Sequence, residues 1–364
     1  MKVKILILFY MLPIIALGNP WFEKRIKRGC SRYVNLAKSN WLNFRPVPTL
    51  DQGPVGLCYA YSAATLLDTY RDIHGLKLGN IKQMPSDPIW AAMLYYAAYQ
   101  NEAKSFDGGL GEVAINQVRR YGMCRADIIE KAMSEYSIAN NITTRDWYVI
   151  TEWFLEFYNK KIEKEIELAS DKAKKLKEIF SRYHSRKRIA HVFENGNFLK
   201  IYKSMKPFLK SKNFMAYMKT VFKDCFTPTG VYLTSKRLPP IKSNYGKRYL
   251  EIDVVRELNK NNPVLLTYKG SVLTSPSNFL TRSVHFFQRT NHQSVIIGKR
   301  VRGGKCQFLL KNTWGNYCRY NKDWNCYKDM LGREIGIWIN ANDLMKASDG
   351  IHYFDLSKKM KRFK

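Results

Sequence analysis

The sequence predicts an α+β protein whose helices precede its strands. Apolar residues recur at helical spacing from Cys58 onward. Further helices are predicted at 86–101, where Pro88 falls in the first turn, and at 112–121. A short helix at 252–258 leads into strands predicted at 262–268, 293–299, 306–311 and 335–339. With 364 residues, 45% of them hydrophobic, the chain can bury a large core.

Two distant parts of the chain carry residues suited to nucleophilic catalysis. Cys58 opens the first predicted helix, and Gln52 stands six positions before it. His292 borders the strand at 293–299, and Asn312 follows the strand at 306–311. A nucleophilic thiol needs a base, an amide that holds the base in one tautomer, and a donor for the oxyanion. Cys, His, Asn and Gln supply these functions, and so the pattern predicts a thiolate acyl-transfer site.

Three motifs resemble those of the papain-type cysteine peptidases, and they occur in the family's order. They are Gln52-Gly53 ahead of Cys58-Tyr59-Ala60-Tyr61-Ser62, the pair Asn291-His292 before an apolar run, and Lys311-Asn312-Thr313-Trp314-Gly315. The resemblance implies a papain-like two-lobe fold, with a helical lobe and a β-barrel-like lobe. It also implies peptide-bond hydrolysis through an acyl-enzyme thioester. Asn291 stands where the family often has aspartate.

The resemblance assigns catalytic roles to four residues. Cys58 is the nucleophile, and His292 is the base that takes the thiol proton and later protonates the leaving amine. Asn312 orients His292. Gln52 donates to the oxyanion together with the backbone amide of Cys58. His285, seven residues before His292, is the alternative base, but its surroundings lack the family pattern.

Three more residues are expected to contact the substrate. Trp314 shields the histidine–asparagine bond from water and lines the leaving-group side. Gly108 and Gly109 match the family's glycine pair, whose backbone binds an extended peptide, although a glycine pair is also common in any loop.

A large insertion separates the two motif-bearing regions. The histidine lies 234 positions (292 − 58) after the cysteine, against roughly 130–150 in the family. We therefore predict a mostly helical, basic insertion at 141–245. Within it, apolar residues from Ile162 to Phe180 predict an amphipathic helix that packs on the parent domain or binds a partner. The other predicted segments are a basic, irregular stretch at 19–47, a helical lobe at 48–140, a β-rich lobe at 246–357 and a basic tail at 358–364.

The first eighteen residues have the pattern of a secretory signal peptide. Lys2 and Lys4 precede an apolar run from Ile5 to Leu17, and small residues follow. This predicts a secreted or periplasmic protein. An uncleaved membrane anchor is the alternative, but the run is shorter than the ~20 residues that a spanning helix needs.

Cysteine usage fits export. Of seven cysteines, six remain when Cys58 is reserved as the nucleophile, enough for three disulfides in an oxidising compartment. Cys318 and Cys326 are close in sequence and are predicted to form a local disulfide, and the other pairings stay open. No cysteines or histidines stand at metal-ligand spacing, and so neither a metal nor another cofactor is predicted.

The net charge of +31 favours anionic partners. The segment 197–223 carries seven lysines and six aromatic side chains without an acidic residue, which predicts contact with an anionic polymer or a membrane surface. The favoured alternative for this segment is an ordinary helix pair with a basic outer face. For the net charge as a whole, the alternative is a solvated basic surface that keeps an exported enzyme soluble. Nothing resembles a base-reading module, and so sequence-specific nucleic-acid binding is not expected.

The function predicted from the sequence is therefore an exported cysteine endopeptidase acting on peptide or protein substrates. Two alternatives stay open. One is an amidase or transamidase that uses the same residues on cell-wall peptides. The other is a polyanion- or membrane-binding protein on a peptidase scaffold, against which the complete Gln-Cys-His-Asn set argues.

Overall fold

The computed structural model describes about half of the chain. The described residues are 20–38, 52, 56–74, 86–99, 108–125, 127–129, 131, 175, 178, 214–225, 233–237, 244–274, 291–315, 325–328, 332 and 334–355. They form α-helices and an antiparallel sheet, which confirms the predicted α+β class.

The chain divides into two compact units. The sheet unit comprises Met1–Gly53, Thr65–Leu76 and Tyr232–Lys358. The helical unit comprises Pro54–Ala64, Lys77–Val231 and Lys359–Lys364. The division differs from the predicted segments because the N-terminal segment groups with the sheet, and because one helix contributes to both units.

The described helices are α1 (Pro20–Cys30), α2 (Cys58–His74), α3 (Pro88–Tyr99), α4 (Gly111–Tyr121), α5 (Phe214–Val221), α6 (Asn244–Asn259), α7 (Ser271–Thr274) and α8 (Ala341–Lys346). The described strands are β1 (Val34–Asn35), β2 (Leu233–Arg237), β3 (Val264–Lys269), β4 (Asn291–Arg302), β5 (Lys305–Lys311), β6 (Asn325–Lys328), β7 (Glu334–Asn340) and β8 (Ser348–Phe354).

The sheet has the strand order β2-β8-β3-β4-β5-β7-β6, and β1 pairs with β4. Its central strands β3, β4, β5 and β7 are those predicted from the sequence, because each contains a buried run of β-branched and aliphatic residues. Strand β2 was not predicted, since its sequence Leu-Thr-Ser-Lys-Arg has no apolar alternation; it is placed by its antiparallel pairing with β8.

Helix α1 corrects the prediction of an irregular segment at 19–47. Phe22, Ile26 and Cys30 recur every four residues and are buried, and the first two pack against Ile252 of α6. The many basic residues around them obscure this short apolar stripe in the sequence. A disulfide between Cys30 and Cys306 attaches the end of α1 to β5.

The helical unit has an aromatic core. Asp87 accepts a hydrogen bond from the Ile89 amide at the start of α3, and Trp90 of that helix packs edge-on against Phe222 with ring centres 5.6 Å apart. Phe214 packs against α3 in the same way. A disulfide between Cys124 and Cys225 links the residues after α4 and α5.

The described residues of the 197–223 segment favour a helix with a basic outer face over a surface whose aromatic rings contact an anionic polymer or a membrane. Phe214, Tyr217 and Phe222 are buried, and so these rings are not available to an external ligand. Lys219 and Lys223 are exposed. This is the pattern of a helix with a basic outer face.

Several predicted features lie outside the described residues. They include the signal peptide, His285, Cys318 and most of the helix at 162–180, of which Lys175 and Glu178 are described and helical. Cys326 is disulfide-bonded. In the part of the chain that is described, no helix is long and apolar enough to cross a membrane.

Removing the disulfide between Cys30 and Cys306 tests how α1 is held. Because the bond joins residues 276 positions apart, we expect the double substitution to alanine to lower the free energy of unfolding by about 2–5 kcal/mol. Urea denaturation followed by circular dichroism measures it. Cys58→Ala is the control, since Cys58 forms no disulfide. An unchanged midpoint in the double variant would show that packing alone fixes α1.

Candidate active site

Cys58 is the first residue of α2 and carries a thiol that is not in a disulfide. The carbonyl of Leu57 accepts hydrogen bonds from the Ala60 and Tyr61 amides, which starts the helix at the cysteine. The first turn of α2 contains no acidic residue to offset the positive end of the helix dipole. That position stabilises a thiolate over a thiol.

The glycine pair lies beside the loop that leads into Cys58. The Gly108 amide donates to the Gly56 carbonyl at 2.9 Å, and Gly108 has a φ of +84°, a conformation that favours glycine. A Cβ at position 109 would lie 3.0 Å from ring atoms of Tyr59. The helical unit therefore brings together three predicted site residues, Cys58, Gly108 and Gly109.

His292 is the second residue of β4, where it pairs with Tyr268 of β3. Its side chain is buried, and Nε2 lies 2.7 Å from Oδ1 of Asn312. Because the amide oxygen can only accept, the proton of this bond belongs to Nε2, and the lone pair is on Nδ1. Burial lowers the pKa of His292 to about 4, although the bond to Asn312 acts in the opposite direction. The imidazole is therefore neutral near pH 7.

Strand pairing positions Asn312 against His292. Asn312 directly follows β5, and β5 pairs with β4 so that Lys311 lies opposite Val295. Two aromatic rings cover the pair. The Trp314 ring centre is 4.7 Å from the imidazole at a tilt of 40°, and the Tyr268 ring meets it edge-on at 5.5 Å.

Two hydroxyl groups extend this pair and were not predicted from the sequence. Ser294 Oγ donates to Asn312 Oδ1 at 3.1 Å, and the Tyr268 hydroxyl lies 2.8 Å from Ser294 Oγ. Since Ser294 uses its proton on Asn312, Tyr268 must donate to Ser294. Ser294 is fully buried, and a serine inside the apolar run after His292 was the available signal.

Gln52 is bound to the residue that follows Asn312. Its backbone N–H donates to the Thr313 carbonyl at 2.9 Å, and the Thr313 hydroxyl donates to Oε1 of the Gln52 side chain at 2.5 Å. With Oε1 accepting from this hydroxyl, Nε2 is the donor end of the side-chain amide. The sheet unit thus gathers Gln52, His292, Asn312 and Trp314 in one connected set.

Comparisons with known proteins give a likeness of fold. No protein-family model matches the chain, and no curated protein matches it. Solved structures that match include xylellain, a cysteine protease from Xylella fastidiosa, at 12% identity and a TM-score of 0.43, over 91% of this chain and 88% of that one. Digestive procathepsin L 3 of Tenebrio molitor matches at 12% identity and 0.41, over 90% and 70%. The bromelain protease from Ananas comosus matches at 12% identity and 0.38, over 89% and 98%.

These are papain-like cysteine proteases, the family that the motifs resemble. At such identities and TM-scores the comparisons carry no argument about activity, which has to come from the site. Among the described residues no group of histidine, cysteine and carboxylate side chains could hold a metal ion.

The depressed pKa of His292 predicts an acid-sensitive contribution to stability. Between the ordinary value of 6.5 and about 4, the unfolded state binds a proton that the folded state does not. Stability from this residue is therefore present above pH 6.5 and is lost as the pH falls toward 4, by up to about 1.4 kcal/mol per pH unit.

Urea denaturation of the wild type and of His292→Gln, from pH 7 to pH 4, measures this contribution. Glutamine can still donate to Asn312 but does not titrate, and so we expect the variant to lose less stability over the window. Subtracting the two curves removes every other titrating group. Parallel curves would show that burial does not depress the pKa of His292.

Proposed function

We propose that this chain is a cysteine peptidase that hydrolyses peptide bonds through a thioester on Cys58. The observation that carries the proposal is the buried His292–Asn312 pair, which holds a neutral imidazole in one tautomer with Nδ1 as the basic atom. The thiol at the start of α2 and the oriented Gln52 amide supply the nucleophile and an oxyanion donor.

In the first step the Cys58 thiol gives its proton to Nδ1 of His292, and the sulfur attacks the carbonyl carbon of the substrate. The π electrons of the carbonyl move to its oxygen. The Gln52 Nε2–H and the Cys58 backbone N–H stabilise this oxyanion, because hydrogen-bond donors that are already oriented cost no reorganisation during the reaction. Asn312 stabilises the imidazolium that forms, since its oxygen faces the Nε2 proton.

In the second step the oxyanion collapses, and the carbon–nitrogen bond breaks. The imidazolium gives its proton to the departing amine, which leaves a thioester on Cys58. Water then gives a proton to His292 as it attacks the thioester carbon. The carbon–sulfur bond breaks, the carboxylic product leaves, and the proton returns to the sulfur.

Two further features support an exported enzyme acting on extended peptides. Gly108 leaves open space where a side chain would stand, which suits close approach of a peptide backbone beside the loop before Cys58, and Gly109 makes room for the Tyr59 ring. The disulfides Cys30–Cys306 and Cys124–Cys225 suit an oxidising compartment.

Turnover of a quenched fluorescent peptide library by the purified chain tests the proposal, with Cys58→Ala as the control. We expect cleavage by the wild type and none by the variant. A thiol-reactive peptidyl epoxide should label the wild type at Cys58, located by mass spectrometry. Absence of both turnover and labelling would contradict the proposal. Turnover that persists in Cys58→Ala would also contradict it.

The two hydroxyl groups next to Asn312 are proposed to position the base. Without the Ser294 donor, Asn312 can rotate its amide and present its NH2 group to His292, which would force the imidazole proton onto Nδ1. We expect Ser294→Ala to lower kcat by about 10-fold, the effect of one hydrogen bond, with little change in KM. Tyr268→Phe should act in the same direction with a smaller effect.

Thr267→Val is the matched control, because the Thr267 hydroxyl accepts from Gln293 and contacts none of these groups. Nitrogen-15 NMR of the imidazole reports the tautomer independently of turnover. A positioning role predicts the Nε2-protonated form in wild type and a mixture in Ser294→Ala. An unchanged tautomer and kcat in that variant would refute the role of Ser294.

A further inference from the structure

The sheet unit exposes large apolar side chains as well as many basic ones. Of the five large hydrophobic residues that the described part of the chain exposes, Trp21, Tyr33, Tyr249 and Val301 belong to this unit, and 39–50% of each is exposed. Trp21 and Tyr249 both pack edge-on against Phe22, at 4.9 and 5.0 Å. Trp21 and Tyr249 therefore both lie next to Phe22, near the start of α1.

The outward side of α1 is strongly basic. Residues 24–32 contain no acidic side chain, and Arg25 places its guanidinium 4.9 Å from the Trp21 ring centre. Glu23, which precedes this stretch, is ion-paired with Arg248. We call this surface the α1 face, and its exposed members are Trp21, Lys24, Arg25, Lys27, Arg28 and Arg32.

The turn between β4 and β5 continues the α1 face. Lys299 of β4 is buried and donates to the carbonyls of Gly29 and Arg32, at 2.8 and 2.5 Å. The disulfide between Cys30 and Cys306 holds the other strand of the hairpin beside the same end of α1. The exposed residues of the turn are Val301, Arg302, Gly303, Gly304 and Lys305.

We propose that the α1 face and the β4–β5 turn form a docking surface for anionic membranes. Lysine and arginine attract lipid phosphates, and tryptophan and tyrosine favour the headgroup region. Basic and aromatic side chains lie next to each other on the α1 face, as Arg25 and Trp21 do. Val301, exposed on β4 beside the turn, suits a bilayer interface, whereas a linear polyanion such as nucleic acid or heparin has no use for it.

The packing of α1 against the rest of the protein limits how this helix can contact a membrane. Its apolar side chains Phe22 and Ile26 are buried against α6, and so they are not available to insert into lipid. The helix contacts the membrane through its basic side, with Trp21 reaching the interface. Binding of this kind is peripheral and depends on salt, because screening shortens the reach of the charges. The proposal does not rest on the peptidase activity.

Co-sedimentation of the purified chain with vesicles tests it. Phosphatidylcholine vesicles with and without about 30% phosphatidylglycerol isolate the part of the binding that depends on anionic lipid. We expect binding to the anionic vesicles at 0.1 M NaCl, about 10-fold weaker binding at 0.5 M, and little binding to pure phosphatidylcholine. Any contribution from residues 1–18 is common to all variants and cancels in their comparison.

The decisive comparison is between two variants with the same loss of charge. Replacing Lys24, Arg25, Lys27 and Arg28 with glutamine should weaken anionic binding by at least about 100-fold. The matched control replaces four lysines of the 197–223 segment with glutamine and should weaken binding to anionic vesicles much less. These are Lys210, Lys212, Lys219 and Lys223.

Circular dichroism checks that both variants fold. The double variant Arg302→Gln and Lys305→Gln is a second test, because both residues are exposed at the β4–β5 turn and lie outside the core. A larger loss in the 210–223 variant would overturn the proposal and place binding in that segment. Retention on heparin or DNA without vesicle binding would overturn it in favour of a polyanion. Absence of all salt-sensitive binding would overturn it as well.

Discussion

The hydrogen bond between His292 and Asn312 depends on the register of three strands. Strand β3 places Tyr268 opposite His292, and β5 pairs with β4 so that its last residue brings Asn312 to the imidazole. A slip of one residue would turn every side chain of β4 to the opposite face. The buried aliphatic side chains of these strands oppose such a slip, and so the packing of the sheet sets the 2.7 Å distance on which the proposed chemistry depends.

The same burial that fixes the site makes its polar groups costly. His292, Ser294, Asn312 and Thr313 are all buried, and each would destabilise the fold if it had no hydrogen-bond partner. The Tyr268 hydroxyl is the partner of Ser294, and Ser294 is a partner of Asn312. Asn312 also bonds His292, and Thr313 bonds Gln52. Among the described residues the buried Nδ2 of Asn312 has no hydrogen-bond partner, so the orientation of this amide depends on its oxygen. The basic side chains of α1, by contrast, are exposed to solvent.

The sequence predicts elements and motif residues well where the local signal is strong. The apolar runs of β4, β5 and β7 are visible because most of their side chains are buried. Helix α1 was missed because its three buried residues are embedded in charge. The partnership of Ser294 with Asn312 requires the strand register, and the Cys30–Cys306 pairing joins residues 276 positions apart. Neither long-range relation has a local signature.

The central claim is that Cys58 and His292 act as one catalytic unit, and the pH dependence of Cys58 alkylation tests it most directly. If they do, iodoacetamide should modify Cys58 rapidly well below pH 8.5, the region where an ordinary thiol ionises. A thiolate beside His292 favours the imidazolium, which offsets the burial that lowers the pKa of His292. His292→Gln should move the profile back toward that of an ordinary thiol. A wild-type profile already centred near pH 8.5 and unchanged by His292→Gln would contradict the claim.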